Sequence, residues 1–450
     1  MDQVRSDVAL LYRRAGFGAT PAQLDAATAA GYDATVEAFV GGLSGPDPAG
    51  DAVPVPTVSH LAKPAGPPGS DARKAQREAQ GAQHLQLQRW WAQRMVVTST
   101  PLREKLTLFW HGHFATGYSK VQDVAAMYEQ NQLLRTAGAG SFEALTQAVA
   151  KGEAMMRWLD TATDKKLHPN ENFARELMEL FTLGIGNYGQ PDVVAAARGF
   201  TGWVTDPRTG AWHLQAAQHD TGVKTYLGHT GPFGGEDIIH LAVTDPASAR
   251  FVVAKLWSHF AYPVGPADQV VTDVLPAYGP GLDVAAALRA VFLHPGFRSA
   301  ASRQGLVKQP IEYLVGAARA LGLDADLQRS AGAVPPAAAS SRRAPNLAAL
   351  STRLAQTLFD PPNVSGWGQN AYWLDTATAL ARLDIAAAMA AAADLRAVEA
   401  VPVSGRADAV AAALGIDGWG ATTAAALHHA ASDPRSLVAV ALTAPEYVLA

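Results

Sequence analysis

The segment from Asn170 to Gly184 carries a helical period from end to end, and the same kind of pattern returns along most of the chain. Phe173, Leu177, Leu180 and Phe181 fall on one side of a helix, and Gly184 supplies its stop. Amphipathic segments rich in Ala and Leu recur at 6–15, 21–43, 71–98, 101–110, 122–137, 141–151, 191–200, 246–261, 267–277, 283–293 and 308–321, while alternating runs are few. Such a chain must bury its apolar stripes helix against helix. The expected class is mainly α: a large multi-helix globular domain with a loop-rich insertion and few short strands.

Composition supports a sizeable core. The 450 residues are 48% hydrophobic and 17% charged, which argues against disorder. Residues 1–325 read as the main helical domain, with loop-rich stretches at 44–69 and 204–236; the latter is where short strands and functional loops are expected. Residues 326–345, rich in Ala, Ser and Pro, read as a linker or loop. Residues 346–450 read as a C-terminal helical part packed on the main domain, wrapped around one irregular loop at Asp360–Trp367.

The formal net charge is −4 and no long basic run occurs, so the balance argues against nucleic acid as a partner. There is no cysteine, which excludes disulfides, thiolate metal sites and cysteine nucleophiles. Any metal must be held by His, Asp, Glu, Asn or backbone oxygen. No apolar run is long enough to span a membrane. The start, Met1 to Asp7, lacks a basic region followed by an apolar one, so no signal peptide is expected and the chain as given reads as cytoplasmic.

Four constellations carry candidate chemistry. The first is His111-Gly112-His113, where Gly112 suggests that the preceding helix has ended and both rings turn toward one site as metal ligands. The bland alternative is a helix terminus at which histidine satisfies loose carbonyls. The second is the polar face of the 170–184 helix, where Asn172, Glu176 and Glu179 recur at helical spacing. Carboxylates one turn apart suit a metal site in a bundle. The competing account is an ion-pair network, with Glu179 on Arg175 and Glu176 on Arg198 or Lys224. The third is His219-Asp220 with Lys224, near Trp203, Trp212 and Tyr226, which could line a cleft. Against it stands a loop that uses Asp220 as a turn residue. The fourth is the Asp360–Trp367 loop, whose aromatic residues are better read as core than as a stacking platform. Gly-x-Ser-x-Gly, the phosphate-binding Gly-x-x-x-x-Gly-Lys-Ser/Thr and His-Glu-x-x-His are all absent, and Gly16-Phe17-Gly18 follows no clear strand.

Several of these segments, with others, form an ordered set. They are Leu11 to Gly18, Phe109 to Phe114, the 170–184 helix, Ala197 to Trp203, His219-Asp220 with Lys224 and Gly228, Lys308 to Tyr313, and Pro361 to Trp367. Together they resemble the bacterial domain-of-unknown-function 1800 family along nearly the whole chain. The resemblance implies a mainly helical protein without a general assigned activity. It also implies a sulfatase-like protein partner, and a periplasmic or extracellular location for the many members that carry export signals.

The reading that gathers these observations is a metal-dependent enzyme, hydrolase favoured over oxidoreductase. His111, His113, Glu176 and His219 are the expected ligands of a divalent metal, with iron, zinc and manganese equally suited. Glu179 serves as general base or orienter, Arg198 or Lys224 steadies a substrate anion, and Asp220 joins them as a catalytic candidate. The substrate is a small molecule or a polymer. Two alternatives stand beside it. One is a metal-free glycan hydrolase using Glu171, Glu176 or Glu179 as paired carboxylates. The other is a non-enzymatic helical module that assembles with another protein.

Overall fold

The structure, a computed structural model, describes residues 3–60, 66–206, 208–323 and 345–449. It is mainly helical, and the extended segments among the described residues form two small antiparallel hairpins, Trp203–Thr205 with Trp212–Leu214 and Lys224–Tyr226 with His229–Gly231. Both hairpins fall in the 204–236 stretch or at its edge. The expected linker at 326–345 lies outside the described residues, apart from its last position.

Local chemistry explains most helix boundaries. The Pro21–Ala30 helix opens on a capping box, in which Thr20 Oγ1 accepts the Gln23 N–H and Gln23 Oε1 accepts the Thr20 N–H. The expected 21–43 helix is in fact two, because Gly31 at φ +90° ends the first and begins Tyr32–Gly41. The long Asp71–Val97 helix starts on Ser70, whose Oγ accepts the Arg73 N–H. The helix beginning at Glu171 keeps α geometry to Glu176, then widens into a π turn over Leu177–Thr182, and Gly184 at φ +78° stops it.

The apolar faces gather into two cores. The first is built on Trp110, Phe114, Phe142, Phe181, Trp257 and Phe292; the second joins Trp91 and Leu87 to Tyr313, Trp373, Met389 and Tyr447. The second core therefore combines the Asp71–Val97 helix with the Pro310–Ala320 helix and the C-terminal helices Thr376–Ala392 and Pro434–Thr443. The Pro101–His113 helix is the shared wall: Leu106 and Trp110 face the first core, and Leu108 faces the second. A buried polar knot stiffens this wall. Glu104 is fully buried and accepts from Arg94 Nε at 2.7 Å, Arg135 Nε at 2.7 Å and Trp91 Nε1 at 3.0 Å. No helix among the described residues is long and apolar enough to cross a membrane.

The irregular loop at Asp360–Trp367 closes against the same wall. Gly366, at φ +83°, lies so near the helix that a Cβ there would be 2.1 Å from the Gly112 carbonyl oxygen. Trp367 is buried, in agreement with the core reading.

Candidate metal centre

Three segments distant in sequence bring His60, Asp123 and Glu153 together. Each offers one ligand atom, and these atoms lie within 4.8 Å of one another. His60 comes from the irregular stretch that precedes the Asp71–Val97 helix. Asp123 is the N-cap of the Val124–Ala137 helix, its Oδ1 accepting the Ala126 N–H at 3.0 Å. Glu153 is the first residue of the Glu153–Trp158 helix. Both carboxylates thus stand at helix N-termini.

The distances suit a small cation. His60 Nδ1 is 3.3 Å from Glu153 Oε2 and 3.5 Å from Asp123 Oδ1. Two ligands on a tetrahedral ion with bonds of 2.0–2.1 Å stand about 3.3 Å apart. His60 Nδ1 and Glu153 Oε2 are buried atoms without a hydrogen-bond partner among the described residues. The imidazole's other nitrogen, Nε2, lies 3.1 Å from Glu129 Oε1. A proton on Nε2 donates to Glu129 and leaves the Nδ1 lone pair directed to the carboxylates. This carboxylate–histidine pairing is the usual means of fixing a metal-bound imidazole.

Arg157 Nη2 is 2.5 Å from Glu153 Oε1 and 3.8 Å from Asp123 Oδ2. Arg157 thus faces both Asp123 and Glu153. Burial raises the Glu129 carboxyl above its ordinary value, and His60 opposes that rise. Arg157 holds Oε1 of Glu153 and leaves Oε2 to the centre. The site reaches solvent through His60 and Glu129, whereas Asp123 and Glu153 are buried.

The neighbouring backbone is fitted closely. Gly210, at φ +70°, comes so near that a Cβ would stand 2.1 Å from Glu153 Oε2 and 3.4 Å from His60 Cε1. On another side, Arg157 lines a surface cleft of about 730 Å³ with Lys120, Gln122, Met156, Asp160 and Thr163. Gln122, beside Asp123, takes the left-handed conformation at φ 52°.

The residues singled out by sequence are placed as follows. Gly112 does not end the helix, which continues to His113. Residues two apart on a helix project to different sides. His111 accordingly enters the second core, its ring 5.3–5.4 Å from those of Trp91, Phe359 and Trp367, and neither ring nitrogen has a hydrogen-bond partner among the described residues. Burial lowers its pKa to about 3. His113 turns to the 170–184 helix instead, with Nε2 3.0 Å from the Phe181 carbonyl oxygen and Nδ1 3.4 Å from Lys255 Nζ.

Glu176 and Glu179 remain neighbours on their helix. Glu176 is raised by burial first and by Glu179 second. The expected ion pairs of this face are replaced by others: Arg175 bonds Glu171, Glu179 accepts from Tyr188 Oη at 2.8 Å, and Arg198 bonds Asp220. The third constellation does assemble. Arg198 grips Asp220 through Nε at 2.7 Å, Lys224 Nζ donates to the Asp220 carbonyl at 2.6 Å, and His219 Nδ1 lies 2.8 Å from the Thr201 carbonyl oxygen. Asp220 Oδ1 also accepts the Gly222 N–H at 2.8 Å, as a turn residue does. The nearby Trp203 and Tyr226 are buried in the first core rather than lining a cleft. His111, His113, Glu176 and His219 do not form a three-ligand cluster among the described residues; His60, Asp123 and Glu153 do.

Residues 10–449 match the model of the family described as protein of unknown function (DUF1800), and the chain belongs to that family. Neither the curated proteins nor the solved structures hold a match to it.

Proposed function

We propose that this protein is a metal-dependent enzyme, hydrolytic in preference to redox, whose divalent cation is held by His60 Nδ1 and by one oxygen each of Asp123 and Glu153. The observation that carries the proposal is the approach of His60 Nδ1 to Glu153 Oε2 at 3.3 Å, with neither atom hydrogen-bonded. A neutral imidazole lone pair facing a carboxylate oxygen across such a gap is repulsive unless a proton or a cation lies between them. The all nitrogen-and-oxygen donor set suits zinc, iron or manganese. Three protein ligands leave a coordination position open, and a cation there supplies an acidified water and a polarising charge.

The chain's own residues divide the remaining work. Glu129 orients the His60 ring and fixes its tautomer. Arg157 holds the second oxygen of Glu153 and presents its guanidinium to the adjoining cleft, where it receives an anionic group of a substrate. Buried Asp123 and Glu153 provide the negative charge that selects a cation. The test is reconstitution with zinc, manganese or iron, followed by assay against carboxylic esters, phosphoesters and peptides. Turnover that a chelator abolishes, and that Glu153→Gln lacks, supports the reading. A wild-type protein that takes up none of the three metals refutes it.

Arg157 favours a second reading. Its contact with Glu153 at 2.5 Å is a short charge-assisted bond, and with protonated His60 the group becomes a self-sufficient ion-pair cluster. In that case His60→Gln lowers stability and changes no metal content.

A further inference from the structure

We propose that the cleft between the N-terminal helix and the start of the Pro310–Ala320 helix is an anion site, taking a compact oxyanion of the phosphate type, free or as the head of a larger molecule. The cleft contains about 390 Å³ of empty space, part of it continuous with solvent, and it is lined by Arg13, Arg14, Lys105, His259 and Glu312 among others. The enclosed part is small, so only a compact group reaches the buried cations. This region gathers two sequence segments that the metal centre does not use, Leu11 to Gly18 and Lys308 to Tyr313.

The argument rests on uncompensated buried charge. Glu312 is the one carboxylate lining the cleft, and Lys105 already occupies it at 2.6 Å. Arg14 is 2% exposed, its Nη2 donates to the Ser302 carbonyl oxygen, and its Nε and Nη1 have no hydrogen-bond partner among the described residues. Arg13 spends one donor on the Gly415 carbonyl oxygen. Lys308, 7% exposed, has its ammonium 3.5 Å from the centre of the Tyr447 ring and no carboxylate within ion-pair distance among the described residues. His259 Nε2 is buried and unpartnered as well.

Arg13, Arg14 and Lys105 line the cleft beside Glu312, Asp417 opposes the charge of Arg13, and Lys308 adds a neighbouring cation, so positive charge remains in excess there and favours entry of a counter-charge. Burial lowers Arg14 to about 9, and burial with the neighbouring cations pulls Lys308 down too. Both shifts reverse when an anion binds. The backbone adds to the attraction. Gln309 caps the Pro310–Ala320 helix and also lines the cleft, so the positive end of that helix dipole points at the same space. Paired guanidiniums with free N–H groups match the geometry of a tetrahedral oxyanion better than that of chloride.

The experiment is calorimetric titration of metal-free full-length protein with inorganic phosphate, in buffer without other oxyanions. Binding at one site with Kd tighter than about 1 mM is expected. Arg14→Gln and Arg13→Gln, both at residues lining the cleft, should each weaken it at least about tenfold, one charge-assisted contact being lost in each. Where Arg14→Gln does not fold, the Arg13→Gln arm and the phosphate-dependent rise in Tm carry the test. Glycerol phosphate bound at least tenfold tighter than phosphate assigns the site to the head of a larger molecule; equal affinity assigns it to the free ion. Glu153→Gln should leave phosphate affinity unchanged, which separates this site from the metal centre. Absence of phosphate binding by the wild type, or binding equal in both cleft variants, overturns the proposal.

Discussion

His60 Nδ1 lies 3.3 Å from Glu153 Oε2, and the opposite nitrogen of the same ring lies 3.1 Å from Glu129 Oε1. One imidazole thus bridges a buried carboxylate and a solvent-facing one. Under the proposed reading the relationship divides the roles: Glu153 is a ligand, and Glu129 is the group that positions the His60 ring.

Glu129→Gln should therefore weaken the metal without abolishing it. The amide still accepts the Nε2 proton but gives the ring less basicity. Loss of such a partner typically reduces affinity about 10- to 100-fold. Competition with a fluorescent chelator measures it.

Gly210 makes a sharper test of geometry. Gly210→Ala places a methyl group against Glu153 Oε2 and demands a left-handed backbone of an alanine. Metal affinity should fall at least about tenfold, as for other disturbed supports of a ligand. Thr209→Ala, one residue away on the exposed loop, should change it little.

Stability should depend on Asp164, outside the site. Its Oδ1 accepts the Asn170 N–H at 2.9 Å, and its Oδ2 is buried without a hydrogen-bond partner among the described residues. Burial raises its pKa from 3.8 to about 7, against the two backbone N–H groups that lower it. A carboxyl raised on folding contributes its stability fully below the unfolded value. That contribution is lost as pH rises through the folded value, here between about pH 4 and 7. The wild type should lose stability across that window, by on the order of 4 kcal/mol at most. Asp164→Asn, which mimics the protonated group, should flatten the profile. Denaturant unfolding at pH 5 and pH 8 decides it.

The buried knot predicts a large loss elsewhere. Glu104→Gln removes the carboxylate that Arg94 and Arg135 share; Arg94 keeps Asp47 and Asp51, but buried Arg135 loses its ion-pair partner among the described residues. The expected destabilisation is about 3–5 kcal/mol, seen as a lower denaturant midpoint. Glu78→Gln, at an exposed helical pair with Lys74, should cost well under about 1 kcal/mol.

The helices and the acidic face of residues 170–184 are legible in the sequence because each is a local pattern. The metal centre is not. His60 sits in a stretch without period, Asp123 looks like any helix cap, and Glu153 simply follows a Gly at a helix start. Only the packing of three segments relates them. His111-Gly112-His113 misleads for a physical reason. Gly112 reads as a stop, yet it lies inside the helix where the Gly366 backbone approaches it. The close approach requires glycine at Gly366, whereas a Cβ at Gly112 would meet only Trp367 at 3.8 Å, and the two histidines go to opposite cores.

The most direct measurement is elemental analysis of protein purified without an affinity tag, beside His60→Ala, Glu153→Gln and His111→Ala, each shown to be folded. The account predicts about one equivalent of zinc, iron or manganese in the wild type and in His111→Ala, and none in the other two. A metal absent from the wild type even after addition, or retained in Glu153→Gln and lost in His111→Ala, would contradict it.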